Sequence, residues 1–299
     1  MKQGTKGKLT DNLTSYLFVA PYLVFFIIFA LVPLVLCIYL SFCQWDGASE
    51  IEWIGLQNYK LLFGALGTGQ IAKEFWKSVL NTLLFVAVQM PVLMILPLLI
   101  ALLINRCSRT GKFFMSAFYF PSILSVATVC IIWYFMFDTN AGILNNFFKT
   151  NIPWITKQPY AWISIFILSS WWGIGGNMVL YLAGLSNVSK ECLEAAALDG
   201  AGVWASFIHI TLPGLKNTLV YVLTMTTLSC FNVFGQPNIL TAGGPDSSTT
   251  VAMMKIYNTA FGGSKFGRAC AMSILMALIM VAFTISSYKL QTAKDKESV

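Results

Sequence analysis

Pro91-Val92-Leu93-Met94-Ile95-Leu96-Pro97-Leu98-Leu99-Ile100-Ala101-Leu102-Leu103-Ile104 runs without a charge into Asn105-Arg106-Cys107-Ser108-Arg109-Thr110-Gly111-Lys112. The first stretch closes an apolar run that begins at Val79. About 20 helical residues cross a hydrocarbon core, so Val79–Ile104 is long enough to span a bilayer. Backbone groups in lipid must bond within their own segment, which makes the run a helix. Pro91 and Pro97 kink it and free carbonyls that must find partners nearby. The second stretch is a tight loop with three basic groups and no acid, the mark of an inner-facing connection.

Five further runs lie on either side: Tyr16–Phe42, Phe113–Phe137, Ala161–Leu185, Thr218–Leu240 and Ala269–Tyr288. No Lys, Arg, Asp or Glu interrupts any of them. The expectation is an all-α polytopic membrane protein with six transmembrane helices. Only 10% of the residues are charged and 57% are hydrophobic, against about 25% charged in ordinary soluble domains. Alternating strand patterns of the barrel type are absent. The first run is too long for a signal h-region, and no small-x-small cleavage site follows it before Gln44-Trp45-Asp46, so it reads as a retained helix. Placing both termini inside puts eleven Lys and Arg on inner segments against eight on outer ones. The net charge of +7 then reflects topology and anionic lipid heads, not nucleic acid. The chain divides into 1–75 (tail, first helix, extracytoplasmic segment), a core over 76–290, and a tail over 291–299.

Residues for covalent chemistry are missing. The seven cysteines have no paired spacing, so neither a disulfide framework nor a metal site is expected. His209 is the lone histidine and reads as a cap or packing group in its loop. There is no Gly-x4-Gly-Lys-Ser/Thr phosphate loop. Neither a cofactor nor an enzymatic activity is expected of the chain itself.

The longest polar interruption of the second half is Ser186–Asn217. Ser189 is placed to cap a helix, with Glu191 in the first turn where the helix dipole favours an acid. Glu191 and Glu194 share a face. Ala195, Ala196 and Ala197 favour helix and let another surface come close. Gly200 and Gly202 end it. Trp204, Phe207 and Ile208 then give a second short helix with one apolar face. This can be an ordinary interfacial loop or a docking element for another protein.

The spacing Glu194-Ala195-Ala196, Gly200, Ile210, Leu212, Pro213 resembles the EAA loop of the permeases of binding-protein-dependent ABC importers. Asp199-Gly200-Ala201-Gly202, Gly55-Leu56-Gln57-Asn58-Tyr59 and Thr241-Ala242-Gly243-Gly244-Pro245 are similar to the carbohydrate (CUT1-type) branch. The first permease of maltose-type and glycerol-3-phosphate-type heterodimers is the nearest type. This resemblance implies the ABC type I importer permease fold, with the loop at about 187–216. It also implies a second permease, two ATPase subunits, an extracytoplasmic solute-binding protein and a sugar-like substrate. Glu194, Ala195, Ala196, Asp199, Gly200, Ile210, Leu212 and Pro213 would then couple to the ATPase, and the cell membrane of a prokaryote would be the setting.

Span four carries Trp171, Trp172, Gly173, Gly176 and Asn177. Sugar sites combine an aromatic face with convergent hydrogen-bonding groups. On span five, Thr226, Cys230 and Val233 fall on one helical face. The maltose-type resemblance implies substrate contacts at Trp172, Gly173, Gly176, Thr226, Cys230 and Val233, although Cys230 and Val233 stand where that system has amides. Plain helix packing is the other reading of these positions. A non-sugar solute, such as a glycerol phosphate ester or polyamine, is an alternative. An ion-gradient transporter would normally carry an ionisable group inside a span, and none is present.

Overall fold

The computed structural model describes residues 18–64, 69–107 and 110–293. Lys2, Lys6, Lys8, Arg109, Lys294 and Lys296, which entered the orientation argument, lie outside the described residues. The chain divides into two compact units, one of Met1–Ala72 with Ile256–Leu275 and one of Lys73–Lys255 with Met276–Val299.

In the first unit, helix α1 spans Phe18–Leu40. It widens into a π-type turn at Ile27–Leu31, where the Val32 amide bonds to the Ile27 carbonyl. Pro33 follows directly and has no amide to offer, a usual cause of such a local change of register. Beyond α1, β1 (Cys43–Gln44) pairs antiparallel with β2 (Glu52–Trp53), and a short helix α2 follows at Gln57–Leu62. Asn58 is buried and donates to the carbonyls of Ser41 and Cys43 at 3.0 and 2.9 Å. Tyr59 donates its phenol to Ser41 Oγ at 2.8 Å. The Gly55–Tyr59 motif therefore ties down the backbone where α1 ends.

The second unit is built on the helices α3 (Gln70–Arg106), α4 (Gly111–Ile123), α5 (Val126–Met136), α6 (Tyr160–Leu185), α7 (Lys190–Leu198), α8 (Val203–Ser206), α9 (Lys216–Phe231) and α10 (Gly235–Leu240). The last long helix, α11 (Phe266–Ala293), completes the described chain. Among the described residues, five helical segments are long and apolar enough to cross a membrane, and a sixth crossing is available if the bent pair α4–α5 counts as one.

Two of the apolar runs need correction as helices, because neither is continuous. The run Phe113–Phe137 reads as one helix, but in the structure it is a bent pair, with α4 and α5 meeting at 99°. Pro121 cannot donate to the turn before it. Leu124 and Ser125 then go extended, and the Ser125 hydroxyl accepts from the Thr128 amide to cap a new helix. The proline alone suggested a kink; the serine two residues past the helix end turns it into a stop and restart. The run Thr218–Leu240 is likewise interrupted. α9 ends at Phe231, and the chain reverts to helix only at Gly235. Val233 therefore lies past the end of α9 and does not continue the helical face of Thr226 and Cys230.

α6 is the central helix of this unit. Gly175 allows it to lie backbone to backbone on α4: a Cβ there would sit 2.5 Å from the Phe118 carbonyl oxygen and 2.7 Å from Tyr119 Cα. Small residues serve this purpose in membrane bundles, where lipid supplies no hydrophobic drive and close packing must.

Candidate functional site

The polar loop between α6 and α9 forms as its residues dictate. Ser189 Oγ accepts from the Cys192 amide at 3.2 Å and starts α7. Glu191 lies in the first turn. At the other end Gly200 takes φ +79°. Its amide bonds to the Ala197 carbonyl, and the Ala201 amide to that of Ala196. This pair of bonds is the Schellman arrangement, which glycine adopts without the Cβ penalty of a left-handed residue. Asp199, just before it, is the C-cap.

The base of the loop is fixed by an apolar cluster that includes Ala101 and Ile104 of α3, Tyr181 and Leu185 of α6, and Leu215. Leu193 and Ile210 pack against that cluster. The opposite side of α7 stays free: Glu194, Ala195, Asp199 and Gly200 are exposed, and Leu198 is 90% exposed. The expected second short helix is present as α8, continued by a π-type turn at Phe207–Thr211. Trp204 is exposed, with its ring 5.6 Å from that of Phe207. Leu212 is half-buried, and the exposed Pro213 lies in the short turn leading to α9. His209 Nδ1 lies 3.0 Å from the Ala205 carbonyl oxygen, a local contact within its own turn.

A groove of about 680 Å3 runs between the loop and the end of α3, lined by Leu99, Leu103, Leu193, Ala197, Trp204 and Phe207 among others. Two faces of this loop thus differ. One packs on the helix ends; the other presents an apolar side chain and two acids to whatever lies beyond.

The candidates inside the bundle divide as well. Asn177 Nδ2 donates to Thr226 Oγ1 at 2.9 Å and to the Leu93 carbonyl at 2.7 Å. Trp172 Nε1 donates to the Leu124 carbonyl at 3.1 Å, in the break between α4 and α5. A Cβ on Gly173 would meet Leu93 Cδ2 at 2.9 Å, whereas nothing lies within 4 Å of one on Gly176. Thr226, Cys230 and Val233 are all buried. So Asn177 and Thr226 are brought together, Trp172 holds a backbone break, and of the two candidate glycines of span four it is Gly176 that faces open space.

Sequence reading passed over Gln89. It is wholly buried in α3, donates from Nε2 to Ser170 Oγ at 3.1 Å, and its Oε1 has no partner among the described residues. The signal was present as an amide in an otherwise apolar run, where polar groups mark bundle interiors or water-filled paths.

A family model described as binding-protein-dependent transport system inner membrane component matches residues 60–297. The chain belongs to this family, the membrane permeases of ABC importers. It is a transport subunit, not an enzyme. Among curated relatives, the probable ABC transporter permease protein YesP of Bacillus subtilis (strain 168) is 33% identical, covering 93% of this chain and 90% of that one. The probable starch degradation products transport system permease protein AmyD of Thermoanaerobacterium thermosulfurigenes is 29% identical over 98% and 99%. The arabinooligosaccharides transport system permease protein AraP of Bacillus subtilis is 30% identical over 92% and 87%. Among solved structures, a chain of a bacterial ABC transporter involved in import of the acidic polysaccharide alginate superposes with a TM-score of 0.81. That match covers 96% of this permease and 98% of the other chain at 22% identity, which establishes a shared fold.

Proposed function

We propose that this permease carries an oligosaccharide or related polyol, paired with a second permease and driven by two ATPase subunits that dock on the α7 loop. A solute-binding protein on the outer face delivers the substrate, and both termini lie inside. The permease core covers 76–290 on this reading. The observation that carries it is the geometry of α7: a capped helix, anchored on one side, that leaves Glu194 and Leu198 exposed just before a left-handed glycine. A short helix laid in a groove is a common way to pass force between proteins. Glu194 can add a charge-assisted bond to a basic group on the ATPase. The rigid base on α3, α6 and Leu215 passes movement of the loop into the bundle.

The sugar class is supported by relatives named for starch degradation products and arabinooligosaccharides. Within the membrane the path is assigned to the side of α6 that carries Trp172, Gly173, Gly176 and Asn177, together with Thr226 and Cys230 of α9 and Val233 just past the end of α9. Because Trp172 and Asn177 are bonded to backbone carbonyls, their share is to shape the path; Gly176 is the position with room for a ligand.

Proteoliposomes holding the full set of subunits test the coupling role. Gly200→Val and Glu194→Lys should abolish uptake while the bundle stays folded, with ATP hydrolysis lost or no longer tied to transport. Wild-type coupling in both variants would remove the loop from force transmission. Growth of a deletion strain on a panel of oligosaccharides tests the substrate class; unimpaired growth on all of them, with loss of uptake of a non-sugar solute, would overturn it.

A further inference from the structure

At the end of α1 and the start of α11, the first unit forms a pocket of about 160 Å3. Its walls come from the β1–β2 hairpin, from α2 and from the first residues of α11. Two glycines make the approach possible. A Cβ on Gly267 would lie 2.0 Å from the Cys43 carbonyl oxygen, and one on Gly47 would lie 2.7 Å from the Phe266 ring. The hairpin therefore rests directly on the start of α11, with the rings of Trp45 and Phe266 5.4 Å apart.

The charged groups of this pocket are Asp46, Lys265 and Arg268. Asp46 Oδ1 accepts from the amides of Ser49 at 2.8 Å and Ala48 at 3.0 Å, and from the Ser49 hydroxyl at 2.8 Å. Those bonds hold its carboxyl well below the usual carboxylate range, so the acid is ionised but committed to its own turn. Trp45 spends its indole N–H on the Ser49 carbonyl. Neither Lys265 nor Arg268 has a carboxylate within ion-pair distance among the described residues. Arg268 Nε is buried and has no hydrogen-bond partner among them. A buried donor on a charged group is costly without an acceptor, and a guanidinium fork suits a planar or tetrahedral oxyanion.

The location narrows the source of that oxyanion. The pocket lies a few residues past Leu40, where α1 ends, and at Phe266, where the apolar α11 begins. Trp45 and Trp53 on the hairpin are residues of the kind enriched at headgroup depth. We infer that this pocket binds the phosphodiester of an anionic phospholipid headgroup, with Arg268 and Lys265 as its donors. The bound lipid would steady the junction of hairpin and α11, a role independent of substrate or ATPase.

Native mass spectrometry of the full chain, delipidated in mild detergent and titrated with phosphatidylglycerol, tests this. The wild type should retain one phosphatidylglycerol that Arg268→Gln binds at least tenfold more weakly. Lys265→Gln, at an exposed position, should weaken it several-fold and decides the matter alone if Arg268→Gln fails to fold. Millimolar inorganic phosphate should leave the bound lipid in place. Equal lipid binding in wild type and both folded variants would overturn the inference, as would displacement by inorganic phosphate. A variant that keeps its lipid but loses affinity for the solute-binding protein would assign the pocket to a protein carboxylate and overturn it too.

Discussion

The side-chain amide of Asn177 donates to the Leu93 carbonyl at 2.7 Å, and Leu93 is the residue four before Pro97. In an unbroken helix that carbonyl would take the amide of residue 97, which proline does not have. Asn177 thus repairs from α6 the defect that Pro97 leaves in α3, and its second bond to Thr226 Oγ1 links α9 to the same point. A residue first marked as a substrate contact is also the tie between three spans.

Asn177→Leu should therefore strand the Leu93 carbonyl and leave Thr226 Oγ1 without its donor. Interhelical hydrogen bonds in membranes average only about 0.6 kcal/mol, but a buried group left unsatisfied costs about 1–3 kcal/mol. Thermal unfolding in detergent should show the larger loss, with uptake reduced in parallel. A melting profile matching the wild type would mean that the carbonyl finds another partner.

Gly175→Ala and Gly176→Ala should part company although they are neighbours. The first drives a methyl into the α4 backbone at Phe118 and Tyr119, an overpacking worth about 1–3 kcal/mol. The second enters open space and should leave stability unchanged, while Gly176→Phe should block uptake with the complex assembled. The measurement is unfolding temperature beside transport rate; equal tolerance of alanine at both positions would contradict the α4–α6 contact.

At Gly200 the backbone, at φ +79°, sets the rule. Gly200→Asn should retain much of the coupling, because asparagine tolerates the left-handed region. Gly200→Val should lose it, since a β-branched residue is a true outlier there. Uptake per ATP hydrolysed in proteoliposomes separates them, and indifference to side-chain shape would show that the turn is not needed.

Cys230 is 2% exposed, so Cys230→Trp should block uptake and also cost stability, whereas Cys230→Ser should do neither strongly. Unchanged uptake in an assembled Cys230→Trp complex would take that face of α9 out of the path.

Orientation can be read by labelling single cysteines at positions 109 and 294 in a chain freed of its native thiols. Both should react only from the inside. Outside access at either would reverse the assigned topology.

Sequence by itself determined the membrane class, the apolar segments and both ends of α7. Lipid forces backbone bonds to be local, so a long uncharged run is built from helix even where it is interrupted, and Ser189 and Gly200 cap through bonds within a few residues. What tertiary structure alone decided were the matters settled by distant partners. The run from Phe113 breaks at 99°, where Trp172, 48 residues beyond Leu124, holds the open carbonyl. Val233 leaves the face of Thr226 because α9 ends before it. Gly173 and Gly175 look alike with Gly176 in sequence, yet only the first two face a neighbour. Periodicity records what a helix offers along its own axis; it carries no information on which neighbour arrives at each face, and in a membrane nearly every face is apolar.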